Sequence, residues 1–124
     1  MNREILFRGK KCENQEWVEG DLIQYGEYES IRFLPQGKFV RPTEFMIITE
    51  TVGQFTGLTD KNGKKIFEGD IFHKGDINII YIVDWHDTRF MGKQNGNHSR
   101  VGLEYWMPDI EVIGNIHDNP ELLK

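Results

Sequence analysis

The chain has 124 residues and a formal net charge of −5, from 20 acidic against 15 basic side chains. That length bounds it to one domain, or two very small ones sharing a core, and the charge argues against tight non-specific binding to duplex nucleic acid. A single cysteine, Cys12, excludes an internal disulfide and a cysteine-built zinc cluster, and reads as the reduced thiol of a cytoplasmic protein. No apolar run approaches the roughly 18 residues of a membrane span, and no signal-peptide pattern follows Met1.

In chain order, the first pattern is a hairpin. Phe7-Arg8-Gly9 and Trp17-Val18 flank the polar turn Glu13-Asn14-Gln15, and Glu19-Gly20-Asp21 then redirects the chain into a strand at residues 22–25. A second strand is expected at 31–34, then a turn at Pro35-Gln36-Gly37-Lys38 and a short extended piece that Pro42 ends. Residues 45–49 read as a buried strand, since the run is short and β-branched residues follow it. Next comes Thr56-Gly57-Leu58-Thr59-Asp60-Lys61-Asn62-Gly63, where Asn-Gly predicts a type I′ hairpin turn, because both central positions need positive φ. Lys65-Ile66-Phe67 is a short strand, and Glu68-Gly69-Asp70 a corner.

Beyond that corner, residues 77–85 form the clearest strand pattern, and adjacent Ile79 and Ile80 imply burial on both faces. Residues 93–99 read as a polar loop tip, 103–107 as a strand and 111–116 as the last strand. Asp118-Asn119-Pro120 predicts an N-capped helical turn at the end, with proline in its first position. Seven to nine short strands with almost no helix suit a small barrel or two packed sheets.

The hairpin pattern occurs twice, at about residues 5–23 and 53–72, each ending in Glu-Gly-Asp before an apolar pair. Gly20, Asp21, Gly57, Asn62, Gly63, Gly69 and Asp70 are therefore assigned structural turn roles: glycine for unusual backbone angles, aspartate for bonding neighbouring N–H groups.

The same residues carry a resemblance. Val52 to Gly57, Asp60 to Lys64, Ile66 and Glu68-Gly69-Asp70-Ile71 resemble the signature of the YopX family, small proteins of phages and prophages. The ends agree, with Arg3-Glu4-Ile5 and Phe7-Arg8-Gly9-Lys10 at the start, and Glu111 to Ile116 and Asp118 to Leu123 at the close. The resemblance implies a single mainly β domain over 1–124: an SH3-like barrel with additional short strands and one C-terminal helical turn. It implies no activity, and no family site residues to carry over. Residues 73–108 match least.

No catalytic constellation stands out. Asp84, His86, Asp87, His73, His98, His117 and Asp118 are metal-competent, but their spacing matches no ligand motif, so neither a metal site nor a cofactor is assigned. Cys12 has no neighbouring histidine, and Gly53 to Gly57 lacks the lysine and helix of a phosphate loop.

Binding signals are stronger. Tyr28, Arg32, Phe33, Lys38, Arg41, Trp85, Tyr105 and Trp106 are the candidate binding residues, aromatics beside cations that suit a peptide or single-stranded bases. The alternative is that the aromatics fill the core. In a strand, Tyr105 and Trp106 point to opposite faces, so one of them needs cover from another element or a partner.

The expectation is a non-enzymatic protein-interaction or self-assembly module of the bacterial host cytoplasm, with a homo-oligomer or a phage or host protein as partner. A single-stranded nucleic-acid-binding module is the alternative, and a metal-dependent enzyme the least favoured one.

Overall fold

The computed structural model describes residues 5–33 and 43–124, and of Phe33 the backbone alone. Lys38 and Arg41, the turn at 35–38 and the extended piece before Pro42 lie outside the described residues. The protein is mainly β, and the described residues form eleven strands in two antiparallel sheets and one short α-helix. It divides into two compact units, Met1–Phe55 and Thr56–Lys124.

Unit 1 contains β1 (Phe7–Lys10), β2 (Trp17–Tyr25), β3 (Tyr28–Phe33), β4 (Thr43–Ile47), a 3-10 turn (Thr49–Thr51) and the start of β5 (Gly53–Thr59). The order is β4-β3-β2-β1-β5. Nine-residue β2 changes partner along its length: residues 17–20 pair with β1, and 21–25 pair with β3. The end of β4 also meets the segment after β1. Lys11 bridges Ile47, Cys12 N–H donates to Met46 O, and Ile48 N–H donates to Lys10 O. Ile31 and Ile47 are buried on the sheet face that Gly9 also occupies.

Unit 2 begins with the rest of β5, which pairs with β6 (Lys65–Phe67). Then come β7 (Asp70–His73), β8 (Tyr81–His86), β9 (Arg89–Gln94), β10 (Arg100–Gly102), α1 (Leu103–Trp106), a 3-10 turn (Met107–Asp109) and β11 (Glu111–Asn115). A final 3-10 turn covers Pro120–Leu123. The five-stranded order is β10-β9-β8-β7-β11. Ile66, Phe72, Tyr81, Val83, Leu103, Ile110 and Val112 form the core, and Phe72 stacks on Tyr81 at 5.2 Å.

The two units follow one course. In the runs β1 to β5 and β7 to β11 alike, the first strand is flanked by the second and the last, and a meander follows. A helical turn then precedes the returning last strand. The topological repeat thus relates β1 through β5 to β7 through β11. The hairpins noted at residues 5–23 and 53–72 are different pieces of that course.

Four sequence expectations are corrected. Gly20 and Asp21 do not form a corner, because β2 runs unbroken through them at the point where it changes partner. A Cβ on Gly20 would collide with the Arg32 carbonyl oxygen, so glycine is needed here for close approach rather than for an unusual φ.

Asn62 is not half of a type I′ turn. Asp60 N–H donates to Lys64 O at 2.8 Å and Gly63 N–H donates to Asp60 O at 3.0 Å, while Gly63 alone takes positive φ, at 81°. This is a three-residue loop closed by a glycine bulge. Replacing Gly63 with alanine meets no neighbour but strains that φ, and is expected to cost about 1 kcal/mol in denaturant unfolding.

Residues 77–79 are not strand. Asp76 Oδ1 accepts Asn78 N–H at 2.9 Å and Asp76 O accepts Ile79 N–H at 3.1 Å, which turns the chain until Tyr81 and leaves Ile79 exposed. Residues 103–107 are helical, not extended, so the opposite-face argument for Tyr105 and Trp106 does not hold. Two smaller differences concern length and capping. Strand β4 spans Thr43–Ile47, with only Ile47 buried. The closing helical turn has Pro120 in its first positions but no side-chain cap, since Asn119 Oδ1 accepts Asn115 N–H instead.

Candidate functional site

The turn residues are the frame that positions unit 2. Gly69, at φ 93°, turns the chain between β6 and β7, and its carbonyl accepts Ile116 N–H at 3.0 Å. Asp70 is buried, and its Oδ2 accepts Phe67 N–H at 2.7 Å across that corner. Gly57 carries positive φ, 88°, inside β5. The anchor that sequence reasoning missed is the reach of Asp60. Its Oδ1 accepts Asn62 and Lys64 N–H, both at 2.9 Å, while Oδ2 accepts Val112 N–H at 3.0 Å. Lys61 N–H donates to Ile110 O beside it. Burial opposes the charge on Asp60, but the backbone donors of Val112, Lys64 and Asn62, with Lys64 nearby, hold its carboxyl below the ordinary value of 3.8.

In unit 1 the pairing register puts Arg8, Lys10, Trp17, Glu19, Asp21, Tyr25, Tyr28, Arg32, Glu44 and Met46 on one sheet face. Several of its rings and charges are partnered within the unit. The Arg8 guanidinium lies 4.8 Å and the Lys10 ammonium 5.5 Å from the Trp17 ring centre. Arg32 lies 3.8 Å from Glu44. A hydrogen bond to Glu44, whose charge also disfavours a phenolate, pushes the Tyr25 hydroxyl above its usual value against the influence of Arg32. At the hairpin tip Tyr28 is 61% exposed.

Unit 2 presents two aromatic clusters. At the β8–β9 hairpin tip Trp85, 53% exposed, meets Phe90 edge to face at 4.8 Å. The turn between them holds Asp87 and Thr88 at φ 48° and 68°. A positive φ is uncommon for a non-glycine residue and especially so for β-branched Thr88.

The second cluster is at α1. Leu103 and Trp106, one helical turn apart, face the core, so Tyr105 is thrown outward and is 80% exposed. Its ring meets Trp106 edge to face at 5.2 Å. The Lys74 ammonium sits 3.7 Å from the Trp106 ring centre and 5.2 Å from that of Tyr81. No sequence pattern links Lys74 to Trp106, which come from distant segments.

The candidate residues therefore do not converge on one site. Tyr28 and Arg32 share a face in unit 1, Tyr105 and Trp106 share a corner in unit 2, and Trp85 stands at a hairpin tip there. The side chain of Phe33, with Lys38 and Arg41, lies outside the described residues.

The histidines are dispersed too. His73 is buried; its Nδ1 accepts Gly75 N–H at 3.0 Å, and its Nε2 lies 3.3 Å from Glu111, which also holds Lys61 at 3.2 Å. His86 pairs with Asp87, and Asp84 pairs with Arg100. Among the described residues no three His, Cys, Asp or Glu side chains gather as a metal site. Among them, too, no helix is long and apolar enough to cross a membrane.

Comparison with known proteins adds the family. The crystal structure of protein EF1440 from Enterococcus faecalis is similar in fold, with a TM-score of 0.62 at 22% identity, covering 99% of this chain and 100% of that one. No curated protein matches the sequence. The model of the YopX protein family matches residues 6–124, essentially the whole chain, and this protein belongs to that family.

Proposed function

We propose that this chain is a non-enzymatic interaction module of phage or prophage origin, working in the host cytoplasm. In this reading it binds a protein partner, or a second copy of itself, through exposed aromatic side chains and sheet edges. The observation that carries it is the exposure of Tyr28, Trp85 and Tyr105, each more than half open to solvent in a small acidic protein. Large aromatics with little entropy to lose are the residues that anchor protein interfaces.

An SH3-like barrel fold is part of the proposal. It is supported by the shared strand course, with a helical turn before the last strand, and in unit 1 by the bonds between β4 and the end of β1. The single-stranded nucleic-acid reading draws less support. Arg8, Lys10 and Lys11 lie over rings of their own unit, and Arg32 lies beside Glu44.

The test is affinity capture from phage-infected cells with wild type and with the triple variant Tyr28→Ser, Trp85→Ser, Tyr105→Ser. Wild type is expected to retain a stoichiometric protein, itself or another, that the equally folded triple variant loses. Identical captures would defeat the proposal.

A further inference from the structure

The aromatic corner at α1 already seats a cation. The Lys74 ammonium rests on the Trp106 ring face at 3.7 Å, with Tyr81 behind it at 5.2 Å, while Tyr105 stands edge to face against Trp106 and is 80% exposed. An ammonium or guanidinium over an aromatic face is drawn by the ring quadrupole, and more strongly as water is excluded.

The charge around the corner favours the same class of ligand. Glu104 precedes Tyr105, and Asp109 lies four residues after it, at the end of the 3-10 turn that follows α1. Both carboxylates are exposed.

Resting on the interaction-module reading above, we propose that the Glu104-Tyr105-Trp106 corner docks a lysine- or arginine-rich segment of the partner protein. One cationic side chain of the partner stacks on Tyr105 and competes with Lys74 for Trp106. Glu104 and Asp109 steer the segment by charge. Lys74 is the intramolecular stand-in: it keeps the Trp106 face covered when no partner is bound, and it weakens binding by the cost of its displacement.

The test titrates the full chain with a ten-residue lysine-rich peptide, following the Trp106 indole N–H by NMR. A glutamate-rich peptide and a thymidine oligonucleotide serve as comparisons. Saturable binding of the lysine-rich peptide alone is expected, weakened at least fivefold by Tyr105→Ala and strengthened severalfold by Lys74→Ala, which bares the Trp106 face.

The proposal is overturned if neither wild type nor Lys74→Ala binds the peptide saturably, if Tyr105→Ala binds as wild type does, or if the oligonucleotide binds equally well. Lys74→Ala binding no tighter than wild type would remove the stand-in role. Should capture by the triple variant fail while the lysine-rich peptide does not bind, the interaction module stands and only the basic partner falls.

Discussion

Replacing Asp60 with alanine is expected to cost about 3 kcal/mol of folding stability, because it leaves the Val112 N–H buried without an acceptor. The Asn62 and Lys64 donors, both exposed, can turn to water. Asp60→Asn keeps one acceptor oxygen but sets an amide donor against one of the N–H groups, for an expected loss of about 2 kcal/mol. The dependence on pH has a definite sign. The Asp60 carboxyl titrates below its ordinary value of 3.8, so its contribution is complete above that value and is lost as pH falls through the lower, folded value. Urea unfolding of wild type and Asp60→Asn should therefore differ most near neutral pH and converge on acidification, while a constant gap would mean that the charge does not matter.

Gly20→Ala is the second large effect. The new methyl would collide with the Arg32 carbonyl oxygen and press on Ile31 Cγ2 at 3.0 Å, and the first of these is backbone that cannot rotate away. The strand would have to separate from β3 where β2 passes from one partner to the other, at an expected cost of about 3 kcal/mol. Gly57→Ala is the comparison: its φ of 88° is strained for alanine, but open space surrounds it, and about 1 kcal/mol is expected. Thermal unfolding of the two variants should rank them in that order. Equal losses would show that β2 tolerates a side chain at its crossing point.

What the sequence made legible was local. Asp60 to Gly63 and Gly69-Asp70 announce turns through glycine and aspartate chemistry within a few residues, and the structure has turns at both. The same glycine-aspartate pair misled at Gly20, where the need is set by a neighbouring strand that no local pattern reveals. At 77–79 two isoleucines outweighed Asp76 and Asn78, although the aspartate side chain closes a turn there. At 103–107 aromatic content suggested a strand, while the spacing of Leu103 and Trp106 was already that of a helix. The long-range ties, Asp60 to Val112 and Lys74 to Trp106, join segments whose proximity follows only from the assembled sheet. The candidate binding residues were legible as types, aromatic beside cation, but not as a location.

The internal pairing of cations also explains why an aromatic-rich surface need not attract phosphates. In unit 1 the Trp17 ring carries two cations of its own, and Arg32 faces acids on both sides, with Asp21 opposite it on β2 and Glu44 on β4. The overall charge of −5 likewise opposes attraction to polyanions.

The central claim, protein interaction rather than nucleic-acid binding, is tested most directly by size-exclusion chromatography with light scattering. The full chain would be run alone and with a mixed-sequence single-stranded oligonucleotide, at ~50 mM and ~500 mM salt. The predicted result is a particle whose mass does not change with the oligonucleotide at either salt. Comigration with the oligonucleotide at low salt, lost at high salt, would contradict it.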